Sequence, residues 1–187
     1  MTAMFDGGTS MEFIKYITVI LTFITIIVAW RFSDWRNWRK YYSTILFTIA
    51  LNLTVTLLTY NHSLWYFHET VFLPNHVLTD FWMKYVYFPP LILIYLSHYP
   101  FKKNLIKQAG YILIWTLLWG AVEGFYVLVE LTTYHNGWTM GWSAIIWMLI
   151  FVFIRLHLTR PLLTWFLCFL LTVFMIGYFN IPITELK

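Results

Sequence analysis

The sequence predicts an all-α fold: a polytopic membrane helix bundle of six transmembrane helices with both termini outside. Three observations predict it. The 187 residues are 60% hydrophobic and only 11% charged, whereas a soluble domain carries about 25% charged residues. The apolar residues fall into six runs, each close to the roughly 20 residues that span a bilayer. Nine of the twelve Lys and Arg residues follow the first, third and fifth runs, which predicts that those loops lie in the cytoplasm.

The six spans are predicted to form one transmembrane domain that covers residues 1–187. Their approximate bounds are 13–32, 42–60, 80–99, 108–131, 139–158 and 161–180. Pro89-Pro90 interrupts the third span and predicts a kink, because proline removes a backbone donor. The N-terminus does not fit a cleavable signal, since Met1 to Ser10 holds Asp6 and no Lys or Arg. We therefore expect a multi-pass protein whose first partner is the lipid bilayer.

Composition argues against several functional classes. A net charge of +4 is too small to indicate a nucleic-acid partner. Cys168 is the single cysteine, so one chain holds no disulfide framework and no multi-cysteine metal site. No nucleophile motif, phosphate loop or dinucleotide fingerprint occurs. The sequence thus predicts no cofactor and favours a protein that is not an enzyme.

The stretch from Trp115 to Trp138 is apolar enough to span a bilayer, yet it carries Glu123 and Glu130. These residues are seven apart, so on a helix they lie within about 20° of each other on one face. An ionisable group in a membrane helix costs ~2.5–3.5 kcal/mol or more and is a functional hypothesis by default. Glu123 is therefore the centre of the predicted site.

Other polar residues are predicted at similar depth in the outer half of the membrane. Lys84 is expected as a counter-charge for Glu123, with Asn52 as a neutral donor nearby, while Asp80 can also pair with Lys84 at i, i+4. Threonine stripes on the first two spans would face this region, although such stripes more often serve helix packing. The candidate ligand-binding residues are Glu123, Glu130, Asn52, Lys84, His76, Asp80, His135 and Asn136.

Two further clusters carry alternative interpretations. Four outward histidines, together with Glu69 and Asp80, would suit a metal, but no recognised ligand motif is present and interfacial side chains are the favoured interpretation. No metal site is therefore predicted. These histidines are His62, His68, His76 and His135. At the cytoplasmic side Arg155, His157 and Arg160 could hold an anionic lipid head group, although simple positive-inside anchoring is favoured.

The strings TLLTYNHSLW, FLPNHVLTD, YHNGWTMGWS and RLHLTRPLLTW occur in this order between residues 38 and 165. In order and separation they resemble an uncharacterised family of small multi-pass membrane proteins from spore-forming Gram-positive bacteria. The LPNH and YHNGW strings are the most distinctive. The resemblance implies a bacterial cell membrane, with the spore membrane as one location, and implies no activity. The family pattern falls on Asn75, His76, Glu123, His135, Asn136, Gly137, Trp138, Arg155 and His157.

Three functions remain open from the sequence. The first is a binding, sensing or accessory transport protein with an outward-facing polar pocket around Glu123. The second is a membrane-embedded, metal-dependent enzyme that uses outer His, Asp and Glu residues. The third is a structural assembly subunit, whose partners would be further copies of itself or other membrane proteins. Six spans without an internal repeat are few for a transporter, so the first function is expected.

Overall fold

The computed structural model describes residues 16–70 and 72–185. In this part of the chain the backbone forms seven α-helices and two short β-strands. The helices are α1 (Ile17–Phe32), α2 (Tyr42–Leu58), α3 (His76–Trp82), α4 (Phe88–His98), α5 (Leu105–Leu128), α6 (Met140–His157) and α7 (Pro161–Tyr178). The strands are β1 (Trp65–Phe67) and β2 (Thr132–Tyr134), and 3₁₀ turns cover Trp35–Lys40 and Ile183–Glu185. The predictions for the N-terminus, including the start of the first span, lie outside the described residues.

The boundaries of α5 follow local capping chemistry. Helix α5 begins after Asn104, whose side-chain oxygen accepts a hydrogen bond from a first-turn N–H at 3.1 Å. The helix ends at Leu128, three residues before the predicted end of the fourth span. Glu130 has a φ of 59°, a left-handed conformation that cannot continue a right-handed helix. The N–H of Leu131 then bonds back to the carbonyl of Tyr126 at 2.9 Å, which satisfies one of the free carbonyls at the helix end.

The predicted third span contains the interruption expected from its prolines. A wide π-helical turn, Met83–Tyr87, joins α3 to α4 immediately before Pro89 and Pro90. Neither proline can donate to the carbonyl four residues earlier, so those of Tyr85 and Val86 lack their usual partners. A π turn rearranges the hydrogen bonds around such a defect. The turn also carries Lys84, which it places in the interior of the bundle.

An antiparallel ladder joins two loops at one end of the bundle. Trp65 pairs with Tyr134 and Phe67 pairs with Thr132. This end, called the ladder end below, gathers the end of α2, the start of α3, the end of α5 and the start of α6. No strand pairing is predicted from the sequence for these loops, so the ladder is a finding of the structure.

The helices pack around buried aromatic rings and expose apolar surface outward. Helix α5 packs on α6, α6 on α7, and α1 on α4. The main core is built around Tyr95, Phe151 and Trp119. Helices α5, α6 and α7 are long and apolar enough to cross a membrane, whereas α1 and α2 are apolar but shorter, at 16 and 17 residues. Large apolar side chains on α1, α5 and α7 face outward, as they would against lipid.

Candidate functional site

The threonine stripe on α1 serves helix packing, which was the favoured interpretation of the two stripes. Thr18 and Thr22 of α1 are buried, and the Thr22 hydroxyl donates to the carbonyl of Thr18 at 2.7 Å. The same hydroxyls accept hydrogen bonds across helices, from Tyr126 Oη at 3.2 Å and from Trp82 Nε1 at 2.9 Å. The stripe on α1 is therefore occupied by neighbouring helices.

A cavity of about 230 Å³ lies between α2, the π turn, α5, α6 and α7. Its wall is mostly apolar and aromatic. The ladder lies across one end of it, where Trp65, Phe67 and Thr132 contribute to the wall. The polar residues in the wall include Asn52, Thr56, Asp80, Lys84, Glu123 and Ser143. The cavity thus brings together four of the polar residues that were predicted at similar depth, Asn52, Asp80, Lys84 and Glu123.

Glu123 binds three neutral donors at this cavity. Its Oε1 accepts hydrogen bonds from Tyr134 Oη at 2.7 Å and from Ser143 Oγ at 2.6 Å, and its Oε2 accepts one from Trp147 Nε1. Ser143 Oγ in turn accepts from Trp138 Nε1 at 2.8 Å. Every donor in this cluster is uncharged, and together they fix the orientation of the carboxylate.

Three separate elements build this cluster, one supplying the carboxylate and two supplying its donors. Helix α5 carries Glu123, strand β2 brings Tyr134, and α6 presents Ser143 and Trp147 four residues apart on one face. Burial and the neighbouring Glu123 carboxylate raise the pKa of Tyr134. Its hydroxyl therefore remains protonated and able to donate at neutral pH.

A second polar cluster lies on the same cavity wall. Lys84 Nζ forms an ion pair with Asp80 Oδ2 and contacts Thr56 Oγ1. Thr56 Oγ1 donates to the same Asp80 oxygen at 2.9 Å. The side chains of Lys84 and Asp80 are only 4% and 9% exposed, so this pair is withdrawn from solvent.

The expected ion pair between Lys84 and Glu123 does not form among the described residues. Lys84 pairs with Asp80, one turn earlier on its own helical segment, as the i, i+4 spacing allowed. Residues at this spacing are neighbours, so the pair forms without bringing two helices into register. Asn52 also lines the cavity, but its Nδ2 donates to the carbonyl of Thr48 at 2.8 Å. It therefore contributes to the same wall without bonding to Glu123.

The remaining candidates lie at the ladder end, outside the cavity wall. Glu130 is exposed at the end of α5. His76 Nδ1 accepts the backbone N–H of Phe67 at 3.0 Å, and its ring stacks on Tyr66. These contacts attach the start of α3 to β1.

His135 and Asn136 form part of the turn that follows β2. His135 Nε2 lies 3.0 Å from Thr133 Oγ1, which is also 3.2 Å from His68 Nε2. Asn136 has a φ of 49° and donates to the carbonyl of Ser63 at 2.8 Å. Within residues 16–70 and 72–185, no group of three His, Cys, Asp or Glu side chains is arranged to hold a metal ion. Through these hydrogen bonds His135 and Asn136 connect the loops of the ladder end.

The basic cluster at the opposite end divides into buried and exposed members. His157 is buried, stacks on Phe47 and lies 3.1 Å from Thr44 Oγ1. Arg155 lies over the rings of Tyr99 and Phe101, while Arg160 is exposed at the start of α7. Of the three, the two arginines lie nearer the surface, and the histidine ring packs between helices.

Three residues of the site were not predicted from the sequence: Tyr134, Trp147 and Thr132. Trp147 could have been found, because it follows Ser143 by four residues and so shares its helix face. Tyr134 and Thr132 depend on the ladder, of which the sequence contains no clear signal.

Compared with known proteins, the chain matches no protein-family model, no curated protein and no solved structure. The functional argument therefore rests on the cavity.

Proposed function

We propose that the chain is a multi-pass protein of the bacterial cell membrane with six spans and both termini on the outer face. The three long helices support it, together with α1, α2 and the nearly continuous segment formed by α3, the π turn and α4, of 7, 5 and 11 residues. The ladder also supports it. Its two strands lie in loops that are separated by the third and fourth spans, and a chain that crosses the membrane twice returns to the same side, as the pairing of the strands requires. The spore membrane is the narrower location that the family resemblance suggests.

Single-cysteine labelling tests this topology. Cys168 is buried and is first replaced by alanine. Cysteines at Trp38 and Lys103, both exposed, should be protected from a membrane-impermeant maleimide added to intact cells, whereas one at Asn136 should label. Detergent lysis should make all three reactive. The opposite pattern in intact cells would reverse the proposed orientation.

We propose further that the protein binds a small amphiphilic molecule in the cavity that contains Glu123, as a binding, sensing or accessory transport protein. The observation that carries this proposal is the composition of the cavity wall. Ligand sites are concave and mostly apolar, with a few placed polar groups that fix orientation. Here the apolar wall is interrupted by the Glu123 cluster and by the Asp80–Lys84 pair.

A matched pair of substitutions on α7 tests whether the cavity is occupied. Thr172 lines the cavity, whereas its neighbour Val173 is 52% exposed on the outer surface of the bundle. Thr172→Trp should fill the cavity, and Val173→Trp should not. Mass spectrometry of extracts from the purified proteins should find a small molecule that co-purifies with the wild type and Val173→Trp but not with Thr172→Trp. Identical extracts from all three would argue against a binding cavity.

Anionic lipid is the second partner that we propose, at the end opposite the ladder. Arg155 and Arg160 would face lipid phosphates if this end lies in the cytoplasm. Arg155 Nη1 also donates to Thr159 Oγ1 at 2.8 Å, which holds its side chain near the helix end. We expect less anionic lipid to co-purify with the Arg155→Gln, Arg160→Gln double variant than with the wild type.

A further inference from the structure

The cavity wall carries one negative charge that no residue of the described chain neutralises. Lys84 is a cation in this wall, and its ion pair is with Asp80. No Lys, Arg or His nitrogen of the described residues forms an ion pair with Glu123; its partners are a phenol, a hydroxyl and an indole. With Asp80 and Lys84 cancelling, an ionised Glu123 leaves the wall with a net charge of −1.

We infer that the cavity ligand is a lipophilic molecule with a single positive charge, and that Glu123 binds the charged group. This inference rests on the proposed binding function and names the class of ligand. Glu123 is partly buried in a mostly apolar wall, and removing a carboxylate from water, even in part, is costly unless it is paired. A monocation would complete the charge balance that the protein itself leaves open.

The hydrogen bonds of Glu123 leave room for such a partner. A carboxylate offers about four acceptor positions on its two oxygens. Oε1 uses two of them, for Tyr134 and Ser143, while Oε2 uses one, for Trp147. One position on Oε2 is left for an ammonium hydrogen, in a carboxylate that its three donors already orient.

The surrounding wall suits both parts of a lipophilic cation. Trp119, Trp147 and Tyr126 line the cavity with Glu123, and the faces of such rings attract cations. The wall also carries aliphatic side chains, among them Leu51 and Leu171. An apolar tail would lie there, where it needs no polar partner.

A buried hydroxyl in the same wall gives independent support for a ligand. Thr132 is only 2% exposed, and its Oγ1 has no hydrogen-bond partner among the described residues. Buried polar groups are normally hydrogen-bonded, and each exception needs an explanation. A ligand in the cavity can provide the missing partner, because Thr132 belongs to its wall.

Three probes of the same shape and different charge test the inference: 4-phenylbutylammonium, 4-phenylbutanol and 4-phenylbutyrate. Binding to the full chain in phosphatidylcholine nanodiscs is measured by equilibrium dialysis, with empty nanodiscs as the blank. We expect the ammonium to bind about tenfold more tightly than the alcohol, and the carboxylate to bind most weakly. Thr172→Trp should remove the specific signal for every probe.

Glu123→Gln should abolish the preference for the cation while leaving the alcohol bound. The matched control is Glu130→Gln, the same change seven residues later at an exposed position outside the cavity wall, and it should keep the preference. Thr132→Val is a second variant that should weaken the ammonium and the alcohol alike, because the polar end of either probe would lose the Thr132 hydroxyl as a partner. The affinities of the three probes are compared on the wild-type protein, so this comparison does not depend on whether any variant folds.

The outcomes separate this inference from the proposed function. If the alcohol or the carboxylate binds the wild type as tightly as the ammonium, and Thr172→Trp removes that binding, the cavity remains a binding site and the inference of a cation is overturned. If Glu123→Gln keeps the preference for the ammonium, the assignment of the charge to Glu123 is overturned. If no probe binds above the empty nanodiscs, both proposals fail.

Discussion

Two carboxylates, Asp80 and Glu123, lie on the same cavity wall and are held in opposite ways. Asp80 is paired with Lys84 one turn away and also accepts from Thr56. Glu123 accepts three hydrogen bonds, all from neutral groups. The first arrangement cancels its charge within one helical segment, whereas the second orients a charge without cancelling it.

These two arrangements indicate how structural and functional acids in a membrane helix can be told apart. A locally neutralised pair is satisfied in the resting protein, so its removal should damage the fold. A carboxylate that is oriented but not neutralised retains electrostatic attraction for an incoming group. We therefore expect the two sites to respond differently to substitution.

The largest effect is expected from breaking the Asp80–Lys84 pair on one side only. Lys84→Met leaves the Asp80 carboxylate buried without its cation, and such a loss typically costs ~3–5 kcal/mol. The thermal unfolding midpoint of the purified protein in detergent should fall accordingly, as followed by circular dichroism.

The double variant Asp80→Asn, Lys84→Met is the control for that effect. It removes both charges, so it should recover much of the lost stability. If the double variant is as unstable as Lys84→Met alone, the damage comes from lost packing rather than from an unpaired charge. The contrast with Glu123 would then be smaller than we propose.

A smaller effect on stability is expected from Glu123→Gln. The amide keeps one acceptor oxygen for Tyr134 and Ser143 but no longer offers a second one to Trp147. A neutral hydrogen bond contributes about 1 kcal/mol, and no buried cation is left without its partner. The free energy of unfolding should therefore fall by about 1 kcal/mol. The thermal unfolding midpoint, followed by circular dichroism as for Lys84→Met, should fall correspondingly less.

Tyr134→Phe provides the comparison within the same cluster. It removes one donor and leaves the carboxylate charged, so it should cost at least as much as Glu123→Gln. A loss of several kcal/mol for Glu123→Gln would mean that its charge is part of the fold, as it is for Asp80.

How far the sequence predicted each site follows from the same contrast. The Asp80–Lys84 pair could be predicted, because the i, i+4 spacing within one helix fixes the geometry. The partners of Glu123 could not, because Tyr134 reaches it only through a ladder of three residue pairs. Strands of three residues are too short to show an alternating pattern in the sequence. The sequence of each loop also does not specify which other loop it pairs with. Lys84 was expected to pair with Glu123 because the two were treated as the opposite charges of a single ion pair within the membrane.

The fold was predictable to the extent that apolar runs determine helices. The described part of each predicted span is largely helical, and α5, α6 and α7 are long and apolar enough to cross a membrane. The prolines of the third predicted span are preceded by the π turn. The ends were less predictable: α5 stops at Leu128 because of the left-handed conformation of Glu130. Such a conformation depends on the packing of the chain that follows, which local sequence does not specify.

The smallest effect concerns His76, which can report on the charge of the Asp80–Lys84 pair. Burial lowers the pKa of His76; Asp80 acts to raise it and Lys84 to lower it. Because the neutral ring is favoured in the folded state, the unfolded chain binds more protons as the pH falls below the ordinary value of 6.5. The contribution of His76 to stability should therefore be lost as the pH decreases from that value.

The pKa of His76 should then change with the charge of the Asp80–Lys84 pair and should not depend on Glu123. In Lys84→Met the unpaired Asp80 should raise the pKa, whereas the Asp80→Asn, Lys84→Met double variant should leave it close to the wild-type value. Glu123→Gln should not change it, because Glu123 is not among the charges that act on His76. NMR titration of ¹³C-labelled histidine, assigned with His76→Gln, measures all four proteins. A shift in Glu123→Gln as large as that in Lys84→Met would show that the two carboxylates are electrostatically coupled, and the division between a neutralised and an open acid would no longer hold.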